Sequence, residues 1–525
     1  LSDEREYNLL DEKWIRVITS DDRVEMVSLE EAFRESRRIK QLYGDTAPQD
    51  ASILRLMLAI MYCVYLRDDL KGVRAKMECG QDAMDLWSEL WNNNDLDSDA
   101  ICDYLEGNRD GFYLFHPTRP FYQTPMEGGT SFPAFKFNGS LSQSKNKVRL
   151  FSHLSGDSKD KMDYADASRW TVYSISYDDC SAKGPSPKKS WVGSIGMVII
   201  EGDNLFETLM LNFPLADHRG ELYESESAPW EMDYVRPGIL QEIPIPLGPI
   251  GLLTMQCRHI ILEREGGKVT GVRIKAGAFI EGKDALIENM TSWYLSKDGT
   301  LIPRKHNPSR SIWRDYQSLL LRGTEDDGRT RIPGTVMWLS QLRDNDILPR
   351  MMLRMKAVGI EYDSNNSSIS EIINDNLSIN SELLSELGVQ WNRLVDEMVQ
   401  LADSCVYQYS LLMDELATLD GRNDVERTGV KEKAKQELYS RLDAPFRNWI
   451  SKIDPETSDR DSESRGFKTM LESLCIGISS EALENSTHHS RNSRAKKDSD
   501  KLDNAYIAVD RFRSKIFKMT RGEKR

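Results

Sequence analysis

Tyr362-Asp363-Ser364-Asn365-Asn366-Ser367-Ser368-Ile369 divides the chain. Short polar side chains of this kind hydrogen-bond their own backbone and favour turns over helix or strand. Ahead of the cluster, strand and helix signals alternate; beyond about residue 370 the apolar spacing is helical throughout. Helices are expected at 380–418, 430–452, 463–484 and 503–519, broken at Asp420-Gly421 and Asp454-Pro455. Four long amphipathic helices with short connections suggest an up-down bundle. The expected fold class is α+β: a large mixed α/β domain over residues 1–368, then a four-helix bundle over 369–525.

Within the first domain, Trp14–Val17 and Val24–Val27 pattern as a strand pair joined through Ser20-Asp21-Asp22. Ser28 then opens a helix as N-cap, with Glu31 at the capping-box position. Ala51–Tyr65 is apolar on nearly every face and is expected as a buried helix. Further helices are expected at 81–91 and 97–105. Residues 123–150, rich in Gly, Ser, Asn and Lys, pattern as a long exposed loop, and Asp178–Ser190 as a second. Strands are expected at Gly196–Ile200, Leu252–Leu262 and Val269–Ile280.

The bulk numbers exclude several classes. With 39% hydrophobic residues and 11 Trp, disorder is ruled out and a sizeable core is within reach. The most apolar run, Leu56–Leu66, is too short to span a bilayer. No signal-peptide pattern precedes the first strand, so a cytoplasmic protein without membrane attachment is expected. Seven dispersed cysteines with no CxxC pair fit reduced core thiols and give no support for structural zinc. The net charge of −15 argues against a freestanding nucleic-acid binder. The charge is unevenly placed, however. Lys136, Lys145, Lys147 and Arg149 form one basic stretch; Lys183, Lys188 and Lys189 form another. From Arg491 to Arg525 twelve Lys/Arg face five Asp/Glu, enough to hold a phosphate backbone locally with help from partners.

Motifs for catalysis are missing: there is no Walker A pattern, dinucleotide fingerprint, HExxH or GxSxG. Asp217-His218 has the look of a metal pair but lacks the further ligands that hydrolysis needs. No enzyme activity and no cofactor are expected.

Several segments together resemble the CasA family, the large subunit of the type I-E CRISPR Cascade surveillance complex. They are Asn8-Leu-Leu-Asp-Glu-Lys-Trp-Ile-Arg-Val17, Val27-Ser-Leu-Glu-Glu-Ala32, Arg119-Pro-Phe-Tyr-Gln123 and Asn204-Leu-Phe-Glu-Thr-Leu209 with Asn212. Ala228-Pro-Trp-Glu231, Leu252-Leu-Thr254 with Arg258, and Ser311-Ile-Trp-Arg-Asp-Tyr316 follow in the family's order. Trp14, Trp230 and Trp313 within them are expected as buried anchors.

The resemblance implies a non-catalytic subunit that reads the protospacer-adjacent motif (PAM) of target double-stranded DNA. The reading is from the minor groove, whose base code is degenerate. It implies three cooperating elements. A glycine loop falls, counting back from Leu205–Asn212, on Ser181, Ala182, Lys183 and Gly184; only Gly184 is glycine, a departure from the family's glycine-rich examples. A lysine finger falls on Lys275, with Arg273 and Lys268 as rivals. A wedge that opens the first base pairs to start the R-loop falls on Asn365, Asn366 and Ser367, with Asn366 in place of a glutamine often found there. Lys145, Asn146, Lys147 and Phe151 are implied to contact the 5′ handle of the CRISPR RNA. The implied partners are the other Cascade subunits, the CRISPR RNA, target DNA and a separate helicase–nuclease recruited for antiviral degradation. The family's zinc site needs two CxxC pairs that this chain lacks, so no metal is expected. A stand-alone metal-dependent nuclease and a protein scaffold without DNA contact are the alternatives.

Overall fold

The computed structural model describes residues 5–66, 77–126, 130–138, 157–177, 190–217, 219–232, 241–321, 330–363, 369–492, 494–495 and 502–522. The chain forms two compact units. The first comprises Leu1–Ile312, Arg322–Pro349 and Leu353–Asn376; the second comprises Trp313–Leu321, Arg350–Met352 and Leu377–Arg525.

The first unit is built around the helix Ala47–Tyr65. Thr46 caps it by accepting the Gln49 N–H, and Pro48 lies in its first turn, where a missing N–H costs nothing. From Ala51 to Leu66 every residue is buried, as an apolar run without a polar face requires. Helices Ser98–Gly107, Tyr164–Ser176, Leu205–Leu211 and Pro249–Leu253 cover it. One charge is enclosed: Arg55, 1% exposed, meets the Glu288 carboxylate at 3.0 Å. Glu288 also accepts the Met290 N–H at 3.2 Å and Trp191 Nε1–H at 2.9 Å, while Arg55 donates to the Leu252 carbonyl at 3.3 Å. In the helix's first turn, Asp50 accepts the Gly44 N–H at 2.6 Å. Burial pushes its carboxyl up to about 6, against that hydrogen bond and the charge of Lys356.

Four three-stranded sheets among the described residues complete this unit, the smallest setting Trp293–Leu295 between Leu301–Pro303 and Thr330–Arg331. In the first, Ile15–Thr19 lies between Val24–Val27 and Ile39–Leu42, with Val17 opposite Glu25. The capping box expected at Ser28 and Glu31 forms at the next helix, Leu29–Arg34. In the second sheet, Lys268–Ala276 lies between Thr130–Pro133 and Arg258–Glu265. In the third, Met352–Tyr362 lies between Met197–Glu201 and Ile369–Asn380. Helices Gly80–Asn93 and Ser98–Gly107 form where the spacing predicts them.

Three expectations are corrected. Within the segment 123–150, Thr130–Pro133 is a strand, with Pro133 at its end and Gly271 opposite, followed by the helical turn Ala134–Phe137. Leu252–Leu262 is not one strand: Gly248 in extended backbone and Pro249 open a short helix to Leu253, and the strand begins at Arg258. Ile369–Asn380 is a strand rather than the start of the helical region. Its buried positions Ile373, Leu377 and Ile379 keep the two-residue period of a pleat.

The second unit holds four long helices: Gly388–Leu419, Asp424–Ile450, Arg460–Glu484 and Ala505–Arg521. Gly388–Leu419 packs against each of the other three. Asn423, Asp459 and Asn504 cap the later three, each accepting the backbone N–H three residues on. Trp313 is fully buried in this unit, stacked on Phe446 at 4.3 Å, with its Nε1–H donated to Asp443 at 2.9 Å. Arg314 lies over the Tyr439 ring at 3.5 Å and meets Asp403 at 3.3 Å. No helix among the described residues is long and apolar enough to cross a membrane.

Two outcomes follow for stability. Arg55→Met strands the Glu288 carboxylate in the interior and is expected to cost about 3–5 kcal/mol in urea denaturation. Adding Glu288→Gln removes both charges, keeps an acceptor for Trp191 and is expected to recover most of that loss. A double variant as weak as the single one would show that charge balance is not what the site requires. Asp50 holds a proton when folded that the unfolded chain releases near 3.8, so its contribution to stability falls as pH rises from there to about 6. Asp50→Asn is therefore expected to gain up to about 2–3 kcal/mol on the parent between about pH 4 and pH 7. A pH-independent difference between the two stability profiles would refute this.

Candidate nucleic-acid interface

Arg258–Glu265 and Lys268–Ala276 form a hairpin closed by Gly266 and Gly267, both at positive φ (58° and 74°), where a side chain would be strained. Its register sets Lys275 opposite His259 and Arg273 opposite Ile261. Alternation buries Val272 and Ile274 and turns Arg273 and Lys275 to the other face, where both are half-buried. Arg273 meets Glu263 at 3.0 Å, and Lys268, nearer the turn, is held by the Asp163 carboxylate. Lys275 stands at the opposite end of the strand, two residues before Gly277.

That end of the hairpin is a junction. Cys257 donates its N–H to the Ile175 carbonyl at 3.0 Å and accepts the Gly277 N–H on its own carbonyl at 2.9 Å. Its buried sulfur accepts the Trp191 N–H at 3.4 Å. Trp191 is held from its other side by Glu288. The Tyr362 hydroxyl, at the end of Met352–Tyr362, donates to the Tyr177 carbonyl; Tyr362 is 5% exposed. Tyr177 stacks on Tyr173 at 5.6 Å, and burial holds its phenol well above the ordinary value, so it stays neutral.

These contacts gather the ends of segments that sequence reading singled out. Tyr177 precedes residues 178–189, Ser190 and Trp191 follow them, and Tyr362-Asp363 precede residues 364–368. Ser181, Ala182, Lys183, Gly184, Asn365, Asn366 and Ser367 themselves lie outside the described residues, as do Lys145, Asn146, Lys147 and Phe151. Of the three finger candidates, Lys275 lies closest in the chain to this junction. Sequence reading missed Cys257, Tyr177 and Tyr362. The available signal was position for Tyr177 and Tyr362, each an aromatic residue at the edge of a polar segment; Cys257, just ahead of the strand at Arg258, carried none.

The remaining candidates have structural roles. Asp217 accepts the N–H groups of Arg219 at 2.7 Å and Glu221 at 3.0 Å, the pattern of a turn. Among the described residues, no group of three or more His, Cys, Asp or Glu side chains is placed to hold a metal ion. Trp14 and Trp230 are buried, with their indole N–H groups on the Leu9 carbonyl at 3.0 Å and the Tyr104 hydroxyl at 2.8 Å.

Comparison with known proteins converges on one family. The family model described as CRISPR-associated protein Cse1 matches residues 8–478. A protein of Thermus thermophilus named CRISPR-associated protein CasA/Cse1 is 30% identical over 331 residues, a match that spans 60% of this chain and 60% of that protein. The crystal structure of Thermobifida fusca Cse1 shares the fold with a TM-score of 0.81 at 24% identity, over 99% of both chains. A chain of a structure titled CRISPR RNA-guided surveillance complex shares it with a TM-score of 0.68 at 16% identity, over 97% of this chain and 99% of that one. The chain described here belongs to the CRISPR-associated protein Cse1 family.

Proposed function

We propose that this chain is the large, non-catalytic subunit of a type I-E CRISPR RNA-guided surveillance complex, and that it reads the PAM of target double-stranded DNA. The observation that carries the reading is the junction at Cys257. It gathers the end of the Lys275 strand, both ends of the 178–189 segment and the start of the 364–368 segment. A glycine loop at Ser181–Gly184, a lysine at 275 and a polar wedge at Asn365–Ser367 would then work from one platform. Backbone N–H groups and a single lysine suit the minor groove, where few base distinctions are available. Asn365 and Asn366 offer amides to bases that the wedge separates, which begins the R-loop; pairing to the guide supplies the sequence specificity.

On the same reading, Lys145, Asn146, Lys147 and Phe151 contact the CRISPR RNA handle by charge and stacking. The amino-terminal domain to residue 368 carries these roles. The helices beyond it form a four-helix bundle that contacts other subunits, and the basic stretch from Arg491 onward helps to hold the displaced strand. Once strands have parted, the subunit recruits a helicase–nuclease.

The test is a DNA-binding titration of the reconstituted complex, with and without this chain, on duplexes bearing or lacking candidate PAMs. Preference for PAM-bearing duplex is expected to require the chain. Lys275→Ala is expected to weaken that binding about fivefold or more and to lessen its salt dependence by about one phosphate contact. Arg273→Ala, whose guanidinium faces Glu263, is expected to do less. Binding that is the same without the chain would overturn the reading.

A further inference from the structure

We propose that the cavity lined by Tyr122, Trp230 and Gln256 is a binding site for a small, flat, uncharged aromatic molecule that carries hydrogen-bond acceptors. The cavity measures about 580 Å³ and lies within the first unit. That volume suits a small ligand, and so does a largely apolar lining with a few polar groups. Phe121, Tyr122 and Trp230 give it aromatic walls. The Tyr122 ring packs on Phe121 with centroids 4.4 Å apart and meets Trp230 edge-on at 6.1 Å. Leu247, 68% exposed, carries the apolar lining out to solvent.

The walls keep their spacing by bonds of their own. Glu226 accepts the Leu247 N–H at 3.0 Å and the Gly251 N–H at 2.7 Å, and a Cβ at Gly251 would lie 2.6 Å from that carboxylate. The Ile243 N–H donates to the Phe279 carbonyl at 2.9 Å, and the Ala278 N–H to the Gln256 carbonyl at 2.9 Å.

Two side chains of the lining have hydrogen-bonding capacity left over. Tyr122 is 5% exposed, and its hydroxyl has no hydrogen-bond partner among the described residues. Its backbone sits at φ 53°, a strained conformation for a residue with a side chain, of the kind that collects at ligand sites. Burial holds its phenol well above the ordinary value, so the group is a neutral donor. Gln256 accepts the Thr124 hydroxyl at 3.4 Å and leaves its side-chain N–H groups without a partner among the described residues. The charged groups of the lining are engaged: Glu226 by backbone N–H groups, and Arg119 by Asp110 at 3.6 Å and the Met232 carbonyl at 3.4 Å. Polar groups left unpaired in a folded interior are few and call for an explanation. A ligand that brings acceptors satisfies these donors, and the aromatic walls take a flat ring.

The test is calorimetric titration of the full chain with 2-naphthamide, a neutral two-ring molecule whose carbonyl oxygen is an acceptor. Saturable binding of one molecule per chain is expected. Naphthalene, with the same rings and no acceptor, is expected to bind about tenfold or more weakly. Tyr122→Phe is expected to lower the affinity for 2-naphthamide about three- to tenfold, the scale of one hydrogen bond. The same change should leave the melting temperature no lower than the parent's, because the hydroxyl it removes has no partner to lose. Gln256→Glu keeps the acceptor for Thr124 and puts a carboxylate oxygen in place of the donor, with an expected loss of about tenfold or more. Neither change should alter the affinity for naphthalene. Ala278→Leu adds bulk to the wall and should weaken both molecules. Two results would overturn the proposal: a parent chain that shows no saturable binding of 2-naphthamide, or binding that all three variants leave as it is in the parent.

Discussion

A carboxylate taken out of water must find partners or lose its charge, and Glu288 finds three. Arg55 comes from the central helix, Trp191 from the return of the 178–189 segment, and the Met290 N–H from Glu288's own turn. A buried ion pair of this kind adds little stability over a well-packed apolar replacement, whereas losing one member is severe. Its effect is to forbid alternatives. The central helix cannot rotate without stranding a charge, and Trp191 cannot leave without stranding an indole N–H. The same tryptophan donates its backbone N–H to Cys257, from which the Lys275 hairpin departs. The junction at Cys257 is thus tied through Trp191 to the buried Arg55–Glu288 pair.

Much of the fold was legible because its signals are local. The capping box at Ser28 and Glu31, the all-apolar run from Ala51 and the helical spacing beyond Gly388 are read within a few turns of chain. What misled was context. Ile369–Asn380 reads as the start of the helical region, and its polar residues at Ser370, Asn374, Asn376 and Ser378 hide the two-residue period. They are the outward half of a strand whose inward half is sparse in the amino acids that announce it. Thr130–Pro133 is too short to declare itself, and it is a strand because Lys268–Ala276 lies beside it. In each case the partner strand, distant in sequence, supplies the reason.

The candidate site divides along the same line. Alternation puts Arg273 and Lys275 on one face without choosing between them, and the polar segments stand out by composition. The groups that gather them could not be found that way. Cys257 looked like a leftover thiol and is a hydrogen-bond hub; Tyr362 looked like the last apolar residue before a turn and holds the Tyr177 carbonyl. Both act through backbone atoms of residues far away in the chain, and backbone acceptors leave no mark on a sequence. A resemblance in motifs can name the polar tips of a site.

The acidic balance takes on a different meaning beside that junction. A surface of net charge −15 repels a phosphate backbone, so a lysine such as Lys275 acts against the field of its own protein. For a freestanding DNA-binding protein that would be a defect. On the proposed reading, in which partner subunits would supply the basic contacts to DNA, it has the right sign. Attraction without sequence reading captures any duplex, and affinity for non-specific sites competes directly with the search for the correct one. If the proposed role holds, an acidic subunit that offers a few donors would gain contact only where the groove admits it. Relative position would then matter more than charge on the proposed reading: a lysine and two amides wrongly spaced would meet the groove one at a time, each contact too weak to hold a duplex while its first pair opens.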